Sequence, residues 1–445
     1  MSRLFGTDGV RGVAGEPPLD AETIARLGAA FVRVLPHRGA GRILVGRDTR
    51  ESGPFIEQAL AHGVASQGAQ LVSTGIVPTP AVAYLTRSMD FDAGIVISAS
   101  HNPFRDNGIK VFSGRGEKFD EASERAIEAL IADPSFEVPL STGETHVAQE
   151  DLVGAYLAHA REAVGDTAPM HGVRIALDCA NGATTTAAPR LFRELGFDVT
   201  VIGGDPDGRN INLGCGSTHP EQLAALVRAE GYRFGVAFDG DGDRAILVDR
   251  TGRLVDGDAV MYVCAKHMLT RGRLRGQAVV ATVMSNIGLE LAFRALGIEM
   301  VRCPVGDKYV MEEIIRRDLS LGGEQSGHVI FSEYLFTGDG IVTALSVVRA
   351  MIESGRELDE LAGELVTYPQ VLVNVRVRER ATLSEVPAVR EAMTAVESRL
   401  DGQGRLLVRY SGTEPLLRIM LEGRDQAEIQ QWAEEIASVV RQELG

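Results

Sequence analysis

One arrangement recurs three times along this chain and limits what it can fold into. Residues 43–46 form a short apolar run, 47–52 a polar turn, a helical stretch follows to Gly68, and a second apolar strand covers 70–73. The same order returns at 175–177, the turn 178–182, a helix to Gly196 and a strand at 198–202. It returns again at 279–283, the turn 284–288, a helix to Gly297 and a strand at 299–303. Each copy ends its helix on glycine, the residue that enters the left-handed conformation at least cost. Strand, helix and strand at this spacing predict βαβ crossovers, hence mixed or mostly parallel sheets. Three unrelated βαβ units are the alternative, since the pattern is common, but the shared order and glycine placement favour three related α/β domains.

The last stretch reads differently. Residues 371–377 alternate as a strand, 384–400 read as a helix, 406–409 and 416–421 as strands, and 426–444 as an amphipathic helix. Few of these connections are long enough for parallel crossovers, which suggests a small α+β domain. At about 150 residues per domain, a chain of 445 residues has room for three domains or four compact ones. The expected fold class is therefore three topologically similar mixed-sheet α/β domains plus a smaller C-terminal α+β domain. We place them at 1–150, 151–254, 255–368 and 369–445, the last boundary falling in the partly charged stretch 355–370 that ends in Tyr368-Pro369.

Composition narrows the function classes. The chain carries 45 Lys and Arg against 61 Asp and Glu, a net charge of −16, which argues against a general nucleic-acid binder. A few local arginines can still hold a small phosphorylated substrate. No uninterrupted apolar run approaches the roughly 20 residues of a membrane span, and the first residues contain no apolar core of signal-peptide length. A cytoplasmic protein is expected. Cys179, Cys215, Cys264 and Cys303 show no CxxC or zinc-ligand spacing and are expected to be reduced, mostly buried thiols.

The densest chemical signal is Asp239-Gly240-Asp241-Gly242-Asp243-Arg244, between the apolar runs 234–238 and 245–248. In a locally extended chain, residues two apart point the same way. Three carboxylates facing one point repel unless a cation holds them, and an all-oxygen donor set suits Mg²⁺ or Mn²⁺ rather than zinc. An EF-hand would open similarly, but its glycine position holds Arg244 and its bidentate glutamate position holds Arg250. A solvated acidic turn is the other alternative, disfavoured by the strands on either side.

Three further segments carry chemistry-bearing residues. Ser98-Ala99-Ser100-His101-Asn102-Pro103 follows the strand 94–97, which exposes a serine hydroxyl at a strand end and suits a nucleophile or phosphate carrier, although a lone Ser-His is usually structural; Lys110 is near enough to return to the same place. No G-x-S-x-G elbow is present. Gly322-Gly323-Glu324-Gln325-Ser326-Gly327-His328 offers Glu324, Ser326 and His328 as partners for sugar hydroxyls, although alone it fits an ordinary polar turn with a structural histidine. Arg409-Tyr410-Ser411-Gly412-Thr413-Glu414-Pro415, with Arg418 beyond, combines two arginines, two hydroxyls and the backbone N–H groups of a glycine turn, which suits a phosphate. The N-terminal Gly6-Thr7-Asp8-Gly9-Val10-Arg11-Gly12 is another glycine-rich loop with a basic end, without the pattern of a P-loop.

Taken in chain order, the segments 98–103, 239–244, 323–328 and 409–418 together resemble the α-D-phosphohexomutase superfamily over the whole chain. The wording Gly-Glu-Gln-Ser-Gly-His and the opening residues 5–12 are similar to its bacterial branch acting on glucosamine phosphates. Tyr410 departs from the proline more usual there, beside the clamp residues rather than among them.

The resemblance implies four domains around a central cleft. It implies reversible conversion of glucosamine 6-phosphate to glucosamine 1-phosphate through a phosphoserine and a 1,6-bisphosphate, on the route to UDP-N-acetylglucosamine. The alternative is a phosphomannomutase or phosphoglucomutase acting on other hexose phosphates. By resemblance, Ser100, Lys110, His101, Arg244 and Arg11 are catalytic. Ser100, Asp239, Asp241 and Asp243 hold one Mg²⁺, and Glu324, Ser326, His328, Arg409, Ser411, Gly412, Thr413 and Arg418 bind substrate. Lys110 is the candidate for proton transfer, on the expectation that burial draws a lysine pKa toward neutrality. A hexose or hexosamine 1,6-bisphosphate is the implied activator. A homodimer and an activating kinase are possible partners. A noncatalytic phosphosugar-binding protein on this scaffold could dispense with Ser100 or one aspartate, and this chain keeps all four.

Overall fold

The computed structural model describes residues 4–6, 8–35, 41–138, 143, 145–411 and 414–445. Its first sheet contains β1 (Val10–Val13), β2 (Arg42–Arg47), β3 (Gln70–Ile76), β4 (Ala93–Ile97), β5 (Asp106–Ser113) and β6 (Ala148–Gln149), in the order β1-β5-β4-β2-β3-β6. The second holds β7 (Arg174–Asp178), β8 (Asp198–Ile202), β9 (Phe234–Phe238), β10 (Ala245–Asp249) and β11 (Leu254–Val255), ordered β11-β10-β9-β7-β8. The third holds β12 (Ala278–Thr282), β13 (Glu299–Cys303), β14 (Leu321–Gly323) and β15 (Val329–Phe331), ordered β13-β12-β14-β15.

These sheets are one topology used three times. In each, the repeat's first strand lies between its second and third. The third strand runs parallel to the first, and the fourth returns antiparallel to the third. The central strands are buried along their whole length, as expected of strands covered on both faces. Gly68, Gly196 and Gly297, expected at the helix ends, all adopt left-handed φ, at 77°, 93° and 72°. The helices before them are Gly53–Ser66, Thr184–Glu194 and Ile287–Ala295. Val255, where the sequence placed the start of the third domain, still pairs with Leu247 in the second sheet.

The fourth sheet is antiparallel, with β16 (Gln370–Arg376), β17 (Arg405–Tyr410) and β18 (Leu416–Glu422) in the order β16-β18-β17. β16 alternates exposed and buried along its length. Its buried face packs with the helices Pro387–Leu400 and Gln426–Glu443 into one core. The helix expected from 384 starts instead at Pro387, after a short 3₁₀ turn at Leu383–Glu385. Proline lacks the N–H that a helix interior needs but fits the first helical position. Tyr410 lies in β17 opposite Leu417, and its hydroxyl donates to the Ala381 carbonyl at 2.7 Å.

The chain forms two compact units, residues 1–284 with 300–363, and residues 285–299 with 364–445. The helix Ile287–Ala295, which connects β12 to β13, therefore belongs to the second unit. There the Ile287 N–H donates to the Glu422 carboxylate at 3.0 Å, and Asn286 holds the Tyr368 backbone at both its N–H and its carbonyl, each at 2.9 Å. The four cysteines are free and buried. Among the described residues no helix is long and apolar enough to cross a membrane.

In the first unit, Asp339 caps the helix Gly340–Ser354 by accepting the Val342 N–H. The Tyr156 hydroxyl lies 3.0 Å from both Asp339 carboxylate oxygens. Burial lifts the Asp339 pKa from 3.8 to about 6, against the pull of these hydrogen bonds. A raised carboxyl pKa stabilises the fold below the unfolded value, and the contribution is lost as pH rises through the folded value. Asp339→Asn cannot titrate. Its thermal midpoint should rise relative to that of the parent chain between pH 4 and pH 6, by the equivalent of roughly 1–3 kcal/mol. A constant offset across that range would show that Asp339 is already ionised in the fold.

Candidate active site

The third-to-fourth-strand hairpin of each repeat carries one of the chemical segments. β4 and β5 are joined through Ser98 to Arg105, β9 and β10 through Asp239 to Arg244, and β14 and β15 through Glu324 to His328. The topology thus offers the same loop three times, and each copy carries a different chemistry.

Asp239, Asp241 and Asp243 are buried, and one carboxylate oxygen from each lies within 4.8 Å of the other two. Burial and the other two aspartates push the Asp239 pKa well up. Its Oδ2 accepts the Ser100 hydroxyl at 2.5 Å, and its Oδ1 accepts the Arg244 N–H at 3.1 Å. Asp241 Oδ2 accepts from Thr79 Oγ1 at 2.6 Å and Lys110 Nζ at 2.8 Å, while its buried Oδ1 has no hydrogen-bond partner among the described residues. Asp243 Oδ1 is likewise buried without a hydrogen-bond partner among the described residues, and convergent carboxylates with two orphaned oxygens and an adjoining serine hydroxyl make an all-oxygen donor set that can bind a hard divalent cation. Gly240 is needed for this approach. A Cβ there would lie 2.5 Å from the Ser100 carbonyl oxygen and 2.7 Å from Asn212 Nδ2.

Lys110 is 1% exposed. Its ammonium lies 2.8 Å from Asp241, 3.2 Å from Asp243 and 3.1 Å from Asp8. Burial works against the charge, but these carboxylates outweigh it and hold the pKa well above the ordinary lysine value. The shift toward neutrality expected from burial is therefore not found. Asp243 is held well down because Lys110, His328 and Arg244 overcome its burial. Asp8 in turn pairs with Arg11 and Lys118, and Lys118 with Asp307.

Ser100 is 2% exposed and takes a left-handed φ of 50°, unusual for a residue with a Cβ. Its N–H donates to Ser98 Oγ at 2.9 Å, and the Ser98 hydroxyl donates to Asp48. His101 Nδ1 lies 3.3 Å from Ser100 Oγ. Partial burial and then the Arg244 cation hold the His101 pKa below its usual value. Arg11 Nη1 donates to the Ser98 carbonyl at 2.9 Å.

In the third hairpin, Ser326 is exposed and Glu324 half-buried. Glu324 accepts the Gly306 N–H at 3.1 Å. His328 is 2% exposed. Its Nδ1 lies 3.6 Å from Asp243 Oδ1, and its Nε2 accepts the Gly338 N–H at 3.0 Å. The ring thus ties the third hairpin to the second. Its acidic neighbours raise its pKa against the effect of burial, and the Gly338 contact favours the tautomer with its proton on Nδ1.

The second unit places Arg409 and Arg418 directly opposite each other on β17 and β18. Like charges in that position destabilise a sheet unless an anion is shared. Arg418 Nη2 lies 3.4 Å from Ser411 Oγ and 3.3 Å from Glu414, while its buried Nε has no hydrogen-bond partner among the described residues. Gly412 and Thr413 lie outside the described residues.

Models of the four phosphoglucomutase/phosphomannomutase domains match in sequence order. The α/β/α domains I, II and III fall at residues 2–138, 155–252 and 256–368, and the C-terminal domain at 372–439. The phosphoglucosamine mutase of Solibacter usitatus is 50% identical over 447 residues, covering 99% of each chain, and that of Syntrophotalea carbinolica 47% identical over 449, covering 100% of this chain and 98% of its own. The chain belongs to the phosphoglucosamine mutase family. Among solved structures, a phosphoglucomutase/phosphomannomutase family protein from Burkholderia thailandensis is 25% identical with a TM-score of 0.81, covering 99% of this chain and 98% of its own.

As a member of this family of phosphotransferring isomerases, the chain brings Ser100, Lys110, Arg244 and the three aspartates to one place, with His101 and Arg11 beside them. Sequence reasoning missed Asp8, Asp48, Arg50, Thr79 and Asn212. Asp48 and Arg50 lay in view within the polar turn 47–52, and Asp8 within the N-terminal glycine-rich loop. Thr79 and Asn212 gave no local signal. Asp241→Asn should weaken Mg²⁺ or Mn²⁺ binding by calorimetry at least about tenfold, a loss that outer partners of a metal alone can cause. Unchanged affinity would place the cation elsewhere.

Proposed function

We propose that this chain interconverts glucosamine 6-phosphate and glucosamine 1-phosphate through a phosphoserine at Ser100. The observation that carries the reading is the Ser100 hydroxyl bonded at 2.5 Å to one of three buried, converging aspartates. Near 50% identity over full length to phosphoglucosamine mutases favours the amino sugar over other hexose phosphates.

One Mg²⁺ at Asp239, Asp241, Asp243 and the Ser100 phosphate would neutralise charge on the phosphoryl oxygens. The Oγ–P bond of Ser100 breaks as a P–O bond forms to the free sugar hydroxyl, which gives up its proton. Lys110, held as an ammonium, is suited to donate a proton rather than accept one. His101, whose pKa is held below the ordinary histidine value by burial and then the Arg244 cation, lies 3.3 Å from Ser100 Oγ and is the better acceptor. The resulting 1,6-bisphosphate must reverse before its other phosphate returns to Ser100. Arg409, Ser411, Gly412, Thr413 and Arg418 would grip the nonreacting phosphate in either orientation. Glu324 and Ser326 would hold hydroxyls that look alike in both, and Arg244 and Arg11 the transferring phosphate. A 1,6-bisphosphate or a kinase would charge Ser100 initially. We place this activity in the cytoplasm and expect a homodimer.

With Mg²⁺ and glucose 1,6-bisphosphate, kcat/KM for glucosamine 1-phosphate should exceed that for glucose 1-phosphate or mannose 1-phosphate by at least about tenfold, or 1.4 kcal/mol of discrimination. Equal or reversed preference would overturn the amino-sugar assignment. Arg418→Ala should raise KM about tenfold or more with a smaller change in kcat, since a charge-assisted hydrogen bond contributes about 1.5–3 kcal/mol. An unchanged KM would remove this arginine from the phosphate site.

A further inference from the structure

Two side chains from different repeats close on the backbone that carries the nucleophile. Arg50 follows β2 and is 1% exposed. It is paired with the equally buried Asp48, and its Nη2 donates to the Ser100 carbonyl at 3.2 Å and the Asn102 carbonyl at 2.6 Å. Asn212 lies in the loop between β8 and β9 of the second repeat and is 7% exposed. Its Nδ2 donates to the same two carbonyls, at 2.9 Å and 3.1 Å. A guanidinium and an amide therefore share both acceptors, one on each side of His101.

The loop is itself anchored to the turn bearing Arg50. The Glu51 N–H donates to the Gly208 carbonyl at 3.0 Å, and the Thr49 hydroxyl donates at 2.5 Å to the carbonyl of Asn181, in the turn after β7, whose own side-chain amide donates to the Asn210 carbonyl of the loop at 3.3 Å. Asn212 takes a left-handed φ of 59°, and its N–H donates to Ala180 at 2.9 Å, which aims its side chain. It also touches the metal hairpin, because the Cβ position of Gly240 is 2.7 Å from Nδ2.

We propose that Asn212 is a positioning residue for phosphoryl transfer. With Arg50 it holds the Ser100–Asn102 turn so that Ser100 keeps its left-handed conformation, with its hydroxyl against Asp239. A left-handed residue bearing a Cβ costs roughly 1–2 kcal/mol. The turn persists because its carbonyls are fixed from both sides. In-line transfer depends steeply on placement of the reacting atoms, so loosening the turn slows the chemistry without removing a contact to the sugar. This inference rests on Ser100 being the phosphoryl carrier.

The test uses Asn212→Leu, which keeps the volume and removes both donors, and Asn212→Ala. Each is compared with the parent chain with Mg²⁺ and glucose 1,6-bisphosphate. The readouts are steady-state kcat and KM, thermal midpoint, and the rate of Ser100 phosphorylation followed by intact mass, all corrected for folded fraction. We expect kcat and the phosphorylation rate to fall at least tenfold in both variants, with KM within threefold of the parent. Either kcat within threefold of the parent, or a loss confined to KM, or a loss that disappears on correction for folded protein, would overturn the positioning role. Failure of the parent chain itself to become phosphorylated at Ser100 would instead overturn the functional reading.

Discussion

Three carboxylates that converge within 4.8 Å in a buried loop are the constraint on which the rest of the first unit is arranged. Three negative charges so close in a medium of low dielectric repel strongly, and the repulsion has to be met locally. Lys110 meets part of it from β5, Arg244 from the same hairpin, and His328 from the third hairpin. These groups come from three different repeats. The hairpins can approach this closely only where the backbone lacks a side chain, as at Gly240 and at Gly338, whose Cβ position lies 2.5 Å from His328. The negative charge of these three aspartates is thus met where the three α/β repeats join.

That arrangement explains what a protonated lysine does at the centre of the site. Desolvation alone would draw Lys110 toward the neutral amine, and its sequence neighbour Asp106 is not among the carboxylates that oppose this. The opposing charges come from Asp241, Asp243 and Asp8, which are distant in sequence. The direction of its pKa is set by the tertiary structure, and the lysine reads as a fixed cation.

The parts of the fold legible in the sequence were those governed by local rules. The glycines at 68, 196 and 297 marked helix ends because only a left-handed residue satisfies them, and the alternation in 371–377 marked a strand with one buried face. The repeated βαβ order exposed the relation among the three domains. The equivalence of the three functional hairpins was not legible, because it depends on strand order, and pairing between strands far apart leaves no periodic trace. Ser100 and the three aspartates were readable because their chemistry is concentrated in short loops. Asn212 was not, since a lone asparagine gains its meaning only from the two carbonyls it reaches across more than a hundred residues. His328 was ambiguous for the same reason. Its partners Asp243 and Gly338 identify it as a tie between hairpins.

The crossover helix Ile287–Ala295 is bound to the C-terminal sheet through Glu422, while most of the strands it connects belong to the other unit. The polypeptide therefore passes between the units at 284–285, 299–300 and 363–364. A chain that crosses three times cannot be cut into separable modules at its apparent domain borders. Removal of the last eighty residues would strip the third repeat's own helix of its partners, and the C-terminal sheet expressed alone would keep the Arg405 partner of Glu422 but lose the Ile287 N–H that shares that carboxylate. The third repeat and the C-terminal domain must therefore be engineered as a single piece.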